Sequence, residues 1–251
     1  MNEELYYDIA EDASKNILWH PGIEIISQLA KKSPLVLDVG CGEGTKLAEI
    51  LGKNRKGIGV DISAFAVKKA RKKYPQHKFI LAKDERLSFS TNSFDLVYST
   101  FVLEHTTNPE VFLNEMITVA NKGGYIVILC PNYGAPNRRS PVSTENPIIK
   151  LILGFMSDFN FTSKALNFKK VTPKKVFKEI DDDTTNEPYI LNLTRFLKRS
   201  GKVSVKEFSS LWEIDNDAKS LHQKIFKYLG LKGIFPFKYW GPQLFIVLKK
   251  K

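Results

Sequence analysis

The sequence predicts an α/β fold built on a doubly wound, mostly parallel sheet, and three observations support this class. Short apolar strands alternate with helical segments over most of the 251 residues, which is the pattern of βαβ units. The segment Leu35–Gly44 is typical of a buried strand that enters a glycine-rich turn, and a helix follows it. Tyr125–Cys130 is a continuous apolar run, as expected for a strand covered on both faces of a parallel sheet.

Seven strands are predicted, each a short apolar run bounded by turn residues. They are Leu35–Val39, Gly57–Val60, Lys78–Ala82, Phe94–Ser99, Tyr125–Cys130, Lys202–Phe208 and Gln243–Leu248. Helices are predicted over Thr45–Lys53, Ser63–Tyr74, the segment after Asn108, Ile148–Met156, Tyr189–Ser200 and Asp217–Leu229. The first part of the chain, Asn2–Lys32, is also predicted to be helical, with an amphipathic segment over Gly22–Lys32.

Two of these helices carry specific end signals. Ser63 is a suitable N-cap for its helix, which stops before Pro75. Asn108 caps a later helix that has Pro109 at its first position, where the missing N–H costs nothing. The end of that helix is predicted at Gly123-Gly124, because glycine readily adopts the backbone conformation that closes a helix.

We expect one domain over residues 1–251. Residues 33–131 are expected to form its ligand-binding core, and residues 189–251 to return to the sheet with further helices and strands. Between them, residues 132–188 break the alternation and contain several prolines, which predicts an insertion packed over the ligand-binding edge.

Composition narrows the function classes. No apolar run approaches the roughly 18 residues that cross a bilayer, and the acidic start MNEELYYDIAED lacks the features of a secretory signal. Two cysteines, Cys41 and Cys130, provide neither a disulfide framework nor a metal cluster, which favours a reducing cytoplasm. The formal net charge of +11 leaves nucleic acid open as a partner, but the lysines are spread along the chain.

Ligands of doubly wound sheets bind outside the carboxyl ends of the strands. This rule brings five segments to one edge: Asp38–Gly44, Asp61-Ile62, Asp84-Glu85, Ser99–His105 and Pro131–Tyr133. The glycines of the first segment are spaced GxGxG, not GxGxxG as in dinucleotide-binding turns. Glu43 in that turn would repel a pyrophosphate but is compatible with a cationic ligand such as S-adenosylmethionine.

The order of these motifs resembles the class I S-adenosylmethionine-dependent methyltransferases, and most of all the group that includes ubiquinone, menaquinone and sugar methyltransferases. The matching pieces are VLDVGCGEG, GIGVDIS, LAKDERLSFSTNSFDLVYS, VLEH and NKGGYIVILCPN, all between residues 33 and 131. The resemblance implies a Rossmann-like sheet of seven strands with the last strand antiparallel. It also implies S-adenosylmethionine as cofactor and S-adenosylhomocysteine as product.

The resemblance further implies a set of cofactor-binding residues. Asp61 would bind the ribose hydroxyls and Asp84 the adenine amino group, with Glu85 beside the ring. Asp38 would orient the glycine turn or the ligand's ammonium group, and Ser99 would lie beside the methyl group. The complete predicted set is Tyr7, Asp38, Gly40, Cys41, Gly42, Gly44, Asp61, Ile62, Asp84, Glu85 and Ser99. Tyr6 and Tyr7 resemble N-terminal tyrosines that fold over the cofactor in related enzymes, although ordinary helix packing explains them equally well.

His105 is the candidate general base, because it follows the strand beside the methyl group and an imidazole titrates near neutral pH. The alternative is that His105 only holds its loop. Tyr133, Arg138 and Arg139 begin the insertion beside the same edge and are candidates for binding the substrate, for which a solvated loop is the alternative. No metal is predicted, because adjacent acids such as Asp181–Asp183 more often cap or solvate a turn.

The leading hypothesis is therefore methyl transfer to a small molecule, such as a hydroxyl of a glycan precursor or a quinone-like or lipid-linked compound. An RNA methyltransferase is one alternative, and it would need a basic surface that continues into the ligand-binding edge. A module that binds S-adenosylmethionine without turnover is another. A nicotinamide-dependent oxidoreductase is disfavoured by the GxGxG spacing and by Glu43.

Overall fold

A computed structural model describes residues 3–160, 166–174, 180–215 and 220–251. Its main sheet has seven strands, which in chain order are β1 (Val36–Val39), β2 (Ile58–Asp61), β3 (Lys78–Leu81), β4 (Phe94–Thr100), β5 (Ala120–Pro131), β8 (Val203–Ser209) and β9 (Gln243–Lys250). Their order in the sheet is β3-β2-β1-β4-β5-β9-β8. The strands β1 to β5 pair in parallel, and β9 lies antiparallel between β5 and β8. The predicted doubly wound, seven-stranded α/β fold is thus confirmed.

Eight helices are present in the described residues. They are α1 (Glu3–Ser14), α2 (Pro21–Lys31), α3 (Thr45–Leu51), α4 (Ala64–Lys73), α5 (Pro109–Val119), α6 (Pro147–Asp158), α7 (Ile190–Arg199) and α8 (Leu221–Leu231). The predicted caps are confirmed: the Ser63 side chain accepts a hydrogen bond from Ala66 N–H, and the Asn108 side chain accepts one from Val111 N–H. No helix in these ranges has the length and apolar character needed to traverse a bilayer.

The sheet separates two hydrophobic cores, because successive side chains of a strand point to opposite faces. On one face Leu37 and Val97 pack with apolar residues of α5 and α7. On the other, Val36 and Leu96 pack with apolar residues of α2, α3 and α4. All four strand residues are almost completely buried. Helices on both faces thus leave the carboxyl-terminal edge of the parallel strands as the place where loops from several strands meet.

Two predicted boundaries are wrong. The N-terminal segment forms two helices, with a short 3-10 turn at Ile17–Trp19 between them. The helix α5 ends at Val119 rather than at Gly123-Gly124, because β5 starts at Ala120 and Ala120 already pairs with Phe94 of β4. Pairing within the sheet therefore outweighs the glycine stop signal. The predicted helix over Asp217–Leu229 is present as α8, and residues 216–219 lie outside the described residues.

The segment 132–188 contains α6 and a two-stranded ribbon of β6 (Lys169–Lys170) and β7 (Asn186–Glu187). A buried carboxylate joins α6 to the rest of the molecule. Asp158, at the end of α6, accepts hydrogen bonds from the Tyr189 hydroxyl and the Trp240 indole N–H, both at 2.8 Å. Burial raises the pKa of Asp158 to about 6, while these two donors oppose that rise. The segment is therefore attached to the core through satisfied polar contacts as well as apolar ones.

Candidate functional site

A cleft opens at the carboxyl ends of β1, β2 and β4, and the glycine turn after β1 forms one wall of it. Gly40 has φ +79° and Gly44 has φ +84°, values that side-chain-bearing residues rarely adopt. A Cβ on Gly40 would lie 2.3 Å from Val102 Cγ2, and one on Gly44 would lie 2.7 Å from the Phe79 ring. Glycine is therefore required here both by the backbone conformation and by the close approach of the Val102 and Phe79 side chains.

The acid at the end of β2 fixes the position of this turn. Asp61 Oδ2 accepts a hydrogen bond from Gly42 N–H at 2.8 Å, and its Oδ1 accepts one from Ser63 N–H at 2.9 Å. Burial raises the pKa of Asp61, and these two backbone donors oppose the rise. Since each carboxylate oxygen has two lone pairs, Asp61 can still accept hydrogen bonds from a ligand in the cleft.

A second acid lies behind the turn, on β1. Asp38 is fully buried, and its burial raises the pKa of the carboxyl to about 7, against the pull of the Lys46 ammonium. Lys46 donates a hydrogen bond to Thr100 C=O at 3.0 Å and lies 5.3 Å from the centre of the Phe101 ring. A cation bound in the cleft would favour the ionised form of Asp38, so ligand binding and this protonation are coupled.

The helix α1 covers the cleft and contributes Tyr6 and Tyr7 to its lining. Ion pairs attach α1 to α4: Lys69 lies 2.9 Å from Glu11, and Lys73 also pairs with Glu11. Hydrogen bonds from Lys73 and Lys69 lower the pKa of Glu11 to about 2. The paired side chains keep only part of their surface exposed to solvent, and since such pairs contribute little to stability, their main effect is to position the helix.

Eight of the predicted residues meet in the cleft. They are Tyr7, Gly40, Gly42, Asp61, Ile62, Asp84, Glu85 and His105. Asp84 is exposed at the cleft's edge, and its Oδ1 accepts a hydrogen bond from Arg86 N–H at 2.8 Å. The Glu85 carboxylate accepts hydrogen bonds from the N–H groups of Thr107 and Asn108, so it also holds the start of α5. Both acids therefore shape their loops and still face the cleft.

The other predicted cofactor residues lie outside the lining of the cleft. Asp38, Cys41, Gly44 and Ser99 are all buried behind it. Cys41 packs against Gly59 of β2, and burial is the main cause that raises the pKa of its thiol. Ser99 is 1% exposed within β4, and the cleft is instead reached by Phe101 and Val102, two and three residues later. Ser99 lies behind the lining because β4 continues to Thr100 and the turn that faces the cleft comes after it.

The far end of the cleft contains a group of titratable side chains, which we call the His105 cluster: Glu104, His105, Tyr133, Asp181 and Asp183. His105 Nδ1 lies 3.1 Å from Asp183 Oδ1, and its Nε2 lies 3.7 Å from Glu104 Oε1. The Tyr133 hydroxyl donates a hydrogen bond to Asp181 Oδ2. The segment Ile180–Asp183 therefore reaches the cleft from the inserted part of the chain.

Electrostatics within the His105 cluster raise the pKa of two groups, which favours the charged form of His105 and the neutral form of Glu104. Burial alone would lower the pKa of His105, but the carboxylates of Glu104 and Asp183 outweigh it and raise the pKa to about 9. Burial raises the pKa of Glu104 to about 7, although the nearby His105 opposes the rise. The ligand atoms of Glu104, His105 and Asp181 also lie within 4.8 Å of one another, a spacing that a cation could use.

The predicted arginine pair lies away from the cleft. Arg138 forms an ion pair with the buried carboxylate of Asp215 and stacks over the Trp212 ring at 5.3 Å. Arg139 is exposed and donates a hydrogen bond to Glu145 C=O at 2.9 Å. Arg138 therefore has a structural role as the partner of Asp215. Of the three residues predicted to bind the substrate, only Tyr133 belongs to the His105 cluster.

Sequence reasoning missed the roles of Lys46, Phe101 and Asp183 in the cleft. Lys46 lies one residue into α3, and its position in the cleft follows from the tight glycine turn before it. Phe101 has φ +58°, an unusual value for a bulky residue, and it shows that the chain turns sharply after β4. Asp183 was visible only as part of an acidic run, because its contact with His105 spans 78 positions in the chain.

A family described as "Methyltransferase domain" matches residues 37–128, which contain the glycine turn, Asp61, Asp84 and His105. The uncharacterized protein MJ1123 of Methanocaldococcus jannaschii is 33% identical over 175 residues, covering 66% of this chain and 79% of that protein. The chain belongs to the class I S-adenosylmethionine-dependent methyltransferases. It is an enzyme of the methyltransferase class, and S-adenosylmethionine is its cofactor.

Two further similarities agree with this family. The 2-methyl-6-phytyl-1,4-hydroquinone methyltransferase of Synechocystis is 35% identical over 135 residues, covering 51% of this chain and 42% of that protein. The match to this quinone-type relative thus spans less than half of its length. A SAM dependent methyltransferase from Aquifex aeolicus has the same fold, with a TM-score of 0.55 over 99% of this chain and 98% of that chain, at 12% identity.

The residues of the cleft fit S-adenosylmethionine. Carboxylates dominate its charged lining: among the described residues, Glu43, Asp61, Asp84, Glu85 and Asp183 outnumber Lys46 and His105. An excess of negative charge favours a sulfonium and an ammonium, and it disfavours a pyrophosphate. The cleft is thus acidic in a chain whose net charge is +11, so the basic residues lie elsewhere.

Proposed function

We propose that this methyltransferase transfers a methyl group from S-adenosylmethionine to a hydroxyl group of a neutral, largely apolar acceptor, such as a quinol-like ring. The observation that carries the proposal is the position of His105, which lines the cofactor cleft with its Nδ1 3.1 Å from Asp183 Oδ1. An imidazole supported by a carboxylate is suited to accept a proton from a hydroxyl.

In the proposed reaction the acceptor oxygen attacks the methyl carbon in line with the sulfur. The new O–C bond forms while the C–S bond breaks, and S-adenosylhomocysteine leaves with the electron pair of that bond. His105 takes the hydroxyl proton on Nε2, the nitrogen with the longer contact to Glu104, and Asp183 stabilises the imidazolium that forms. The remaining task of the cleft is to align the reactants and exclude water, which the α1 helix supports by covering it.

The charge of the His105 cluster supports a neutral acceptor. Three carboxyl groups, those of Glu104, Asp181 and Asp183, surround one imidazole. A phosphate or carboxylate on the acceptor would be repelled at this end of the cleft. This argues against the RNA alternative, and against a role of the Arg138 and Arg139 pair in binding an anionic substrate near the methyl group. The quinone-type acceptor named for the Synechocystis relative is consistent with these requirements.

An amine acceptor is the second candidate, and the excess of carboxylates favours it. An amine that arrives as a cation would be attracted to Glu104, Asp181 and Asp183, and it would lose its proton before attack. The same position of His105 would serve that proton transfer.

Incubation with methyl-labelled S-adenosylmethionine and three acceptor classes tests the proposal: a prenylated hydroquinone, an aromatic amine and a mixed RNA preparation. Label in the hydroquinone supports the proposal, and label only in the amine or only in the RNA replaces it with that function. Tight binding of S-adenosylmethionine in calorimetry, with no labelled product from the three classes, would overturn the proposal and place the acceptor outside them.

A further inference from the structure

The helices α6 and α8 present a large set of apolar side chains to solvent. On α6, Ile148 is 66% exposed and Met156 is 65% exposed. On α8, Leu221 is 75% exposed and Tyr228 is 62% exposed. Scattered apolar side chains are common on protein surfaces, but a contiguous set of this kind marks a site of interaction.

The two helices are neighbours, because both pack on the same aromatic side chain. The ring centre of Phe155, on α6, lies 6.1 Å from that of Trp240, and the ring centre of Phe226, on α8, lies 5.2 Å from it. Phe237 connects them further, at 6.4 Å from Phe155 and 5.5 Å from Phe226. We call the exposed side of these two helices the α6–α8 surface.

The charge of this surface is positive. Between residues 146 and 160 the only acid is Asp158, which is 2% exposed and bonded inside the core. Residues 220–240 contain no acid and four lysines, of which Lys224 and Lys232 are exposed. Apolar side chains bordered by lysines, without exposed acids among them, are the composition of helices that lie in the interface of an anionic bilayer.

We propose that the α6–α8 surface docks this methyltransferase on the surface of an anionic lipid bilayer. The apolar side chains enter the boundary between headgroups and acyl chains, and the lysines face the phosphates. The complementarity of charge selects the bilayer over a protein partner, whose interface would have to supply acids for the lysines. The inference goes beyond the proposed function, because lipid binding needs no methyl transfer.

The location of the surface agrees with an acceptor that resides in the bilayer. Lys150 on the buried side of α6 donates a hydrogen bond to Tyr133 C=O at 2.7 Å and pairs with Glu187 at 2.6 Å. The hydroxyl of the same Tyr133 is bonded to Asp181 in the His105 cluster. The helix that would contact lipid is therefore joined to the part of the cleft where we place the acceptor.

Vesicle flotation tests the proposal with the full chain. Vesicles of phosphatidylcholine containing one third phosphatidylglycerol should carry the protein to the top of the gradient, and vesicles of phosphatidylcholine alone should carry much less. Binding to the anionic vesicles should weaken as salt is raised, because the lysine contribution is screened.

Two substitutions locate the binding surface. Ile152→Glu, at a side chain 54% exposed on α6, should reduce binding to anionic vesicles at least tenfold. Lys224→Glu on α8 should reduce it severalfold, whereas Lys68→Glu on α4 makes the same change in net charge and should leave it near the wild-type level. Titration with S-adenosylmethionine shows that each variant is folded, since none of these residues lines the cleft.

Two results would overturn the proposal. One is wild-type protein that stays at the bottom of the gradient with anionic vesicles. The other is binding that Ile152→Glu leaves unchanged. If sedimentation velocity shows a dimer that Ile152→Glu dissociates while vesicles are not bound, the surface contacts a second copy of the chain. Because vesicle binding and product formation are separate measurements, failure of this inference leaves the proposed methyl transfer untouched.

Discussion

The carboxylate of Asp61, at the end of β2, accepts a hydrogen bond from the backbone N–H of Gly42 in the turn after β1, at 2.8 Å. This single contact joins two neighbouring strand ends and orients the N–H groups of the glycine turn. Asp61 therefore has a structural task in addition to the ribose contact predicted for it.

We expect Asp61→Ala to weaken binding of S-adenosylmethionine by about tenfold or more, because it removes both the predicted ribose acceptor and the support of the turn. The free energy of unfolding should also fall by about 1–3 kcal/mol, since the N–H groups of Gly42 and Ser63 lose their acceptor. Calorimetric titration and chemical denaturation measure the two effects. Unchanged affinity for the cofactor would remove the ribose assignment.

Gly40→Ala should disable cofactor binding, and Gly52→Ala provides a matched control. Both glycines have positive φ, +79° and +68°. An added Cβ at position 40 would collide with Val102, whereas at position 52 no atom of the described residues lies within 4 Å. The control should cost only the backbone strain at Gly52, whose φ of +68° and ψ of −178° are nearly exclusive to glycine, about 1–3 kcal/mol. Gly40→Ala should cost about 1–3 kcal/mol more, because the side chain overpacks the turn. Equal melting temperatures for the two variants would contradict this account.

The rate of methyl transfer should rise with pH up to about 9 if His105 is the base, because the imidazole accepts a proton only in its neutral form and its pKa is raised to about 9. His105→Gln should lower kcat by about 10²–10⁴-fold and remove this rise. Asp183→Asn should move the rise to lower pH, since Asp183 is one of the groups that raise the pKa of His105. If the pH dependence of the rate has the same shape in both variants as in the wild type, His105 is not the base and only holds its loop.

Stability should decline as pH rises between about 4 and 7, because Asp38 has its pKa raised to about 7 in the folded protein and close to 4 in the unfolded chain. Over that range the folded state holds a proton that the unfolded state has released. Asp38→Asn should reduce the decline by on the order of 2 kcal/mol, and a smaller decline from Glu104 should remain. Urea unfolding at pH 5 and at pH 7 measures the difference. A decline as steep in the variant as in the wild type would contradict the assignment to Asp38.

Sequence reasoning predicted the part of the site that comes from the parallel strands. Asp61, Asp84 and His105 follow three different strands, and strands that run in parallel bring their ends to one edge whatever their order in the sheet. The motifs alone therefore placed these residues together. Ser99 does not line the cleft, because β4 runs one residue further than expected and the turn that faces the cleft begins at Phe101.

The contacts that the sequence did not reveal connect distant segments. Arg138 finds its partner Asp215 only through the packing of the insertion against the 3-10 turn after β8, 77 positions further along the chain. Asp181 and Asp183 reach Tyr133 and His105 in a similar way. No local pattern encodes such pairings, since any acidic run could equally cap a turn. The end of α5 shows the opposite case, in which a clear local signal at Gly123 is overruled by pairing within the sheet.

The ion pairs between α1 and α4 bear on the release of the product S-adenosylhomocysteine. Because Tyr6 and Tyr7 belong to the same helix as Glu11, a movement of these two side chains away from the cleft would strain the ion pairs of Glu11 with Lys69 and Lys73. The attraction between such partly exposed charges weakens as ionic strength grows. We therefore expect added salt to ease the movement of α1 and to accelerate the release of S-adenosylhomocysteine, which turnover measured at rising ionic strength would show.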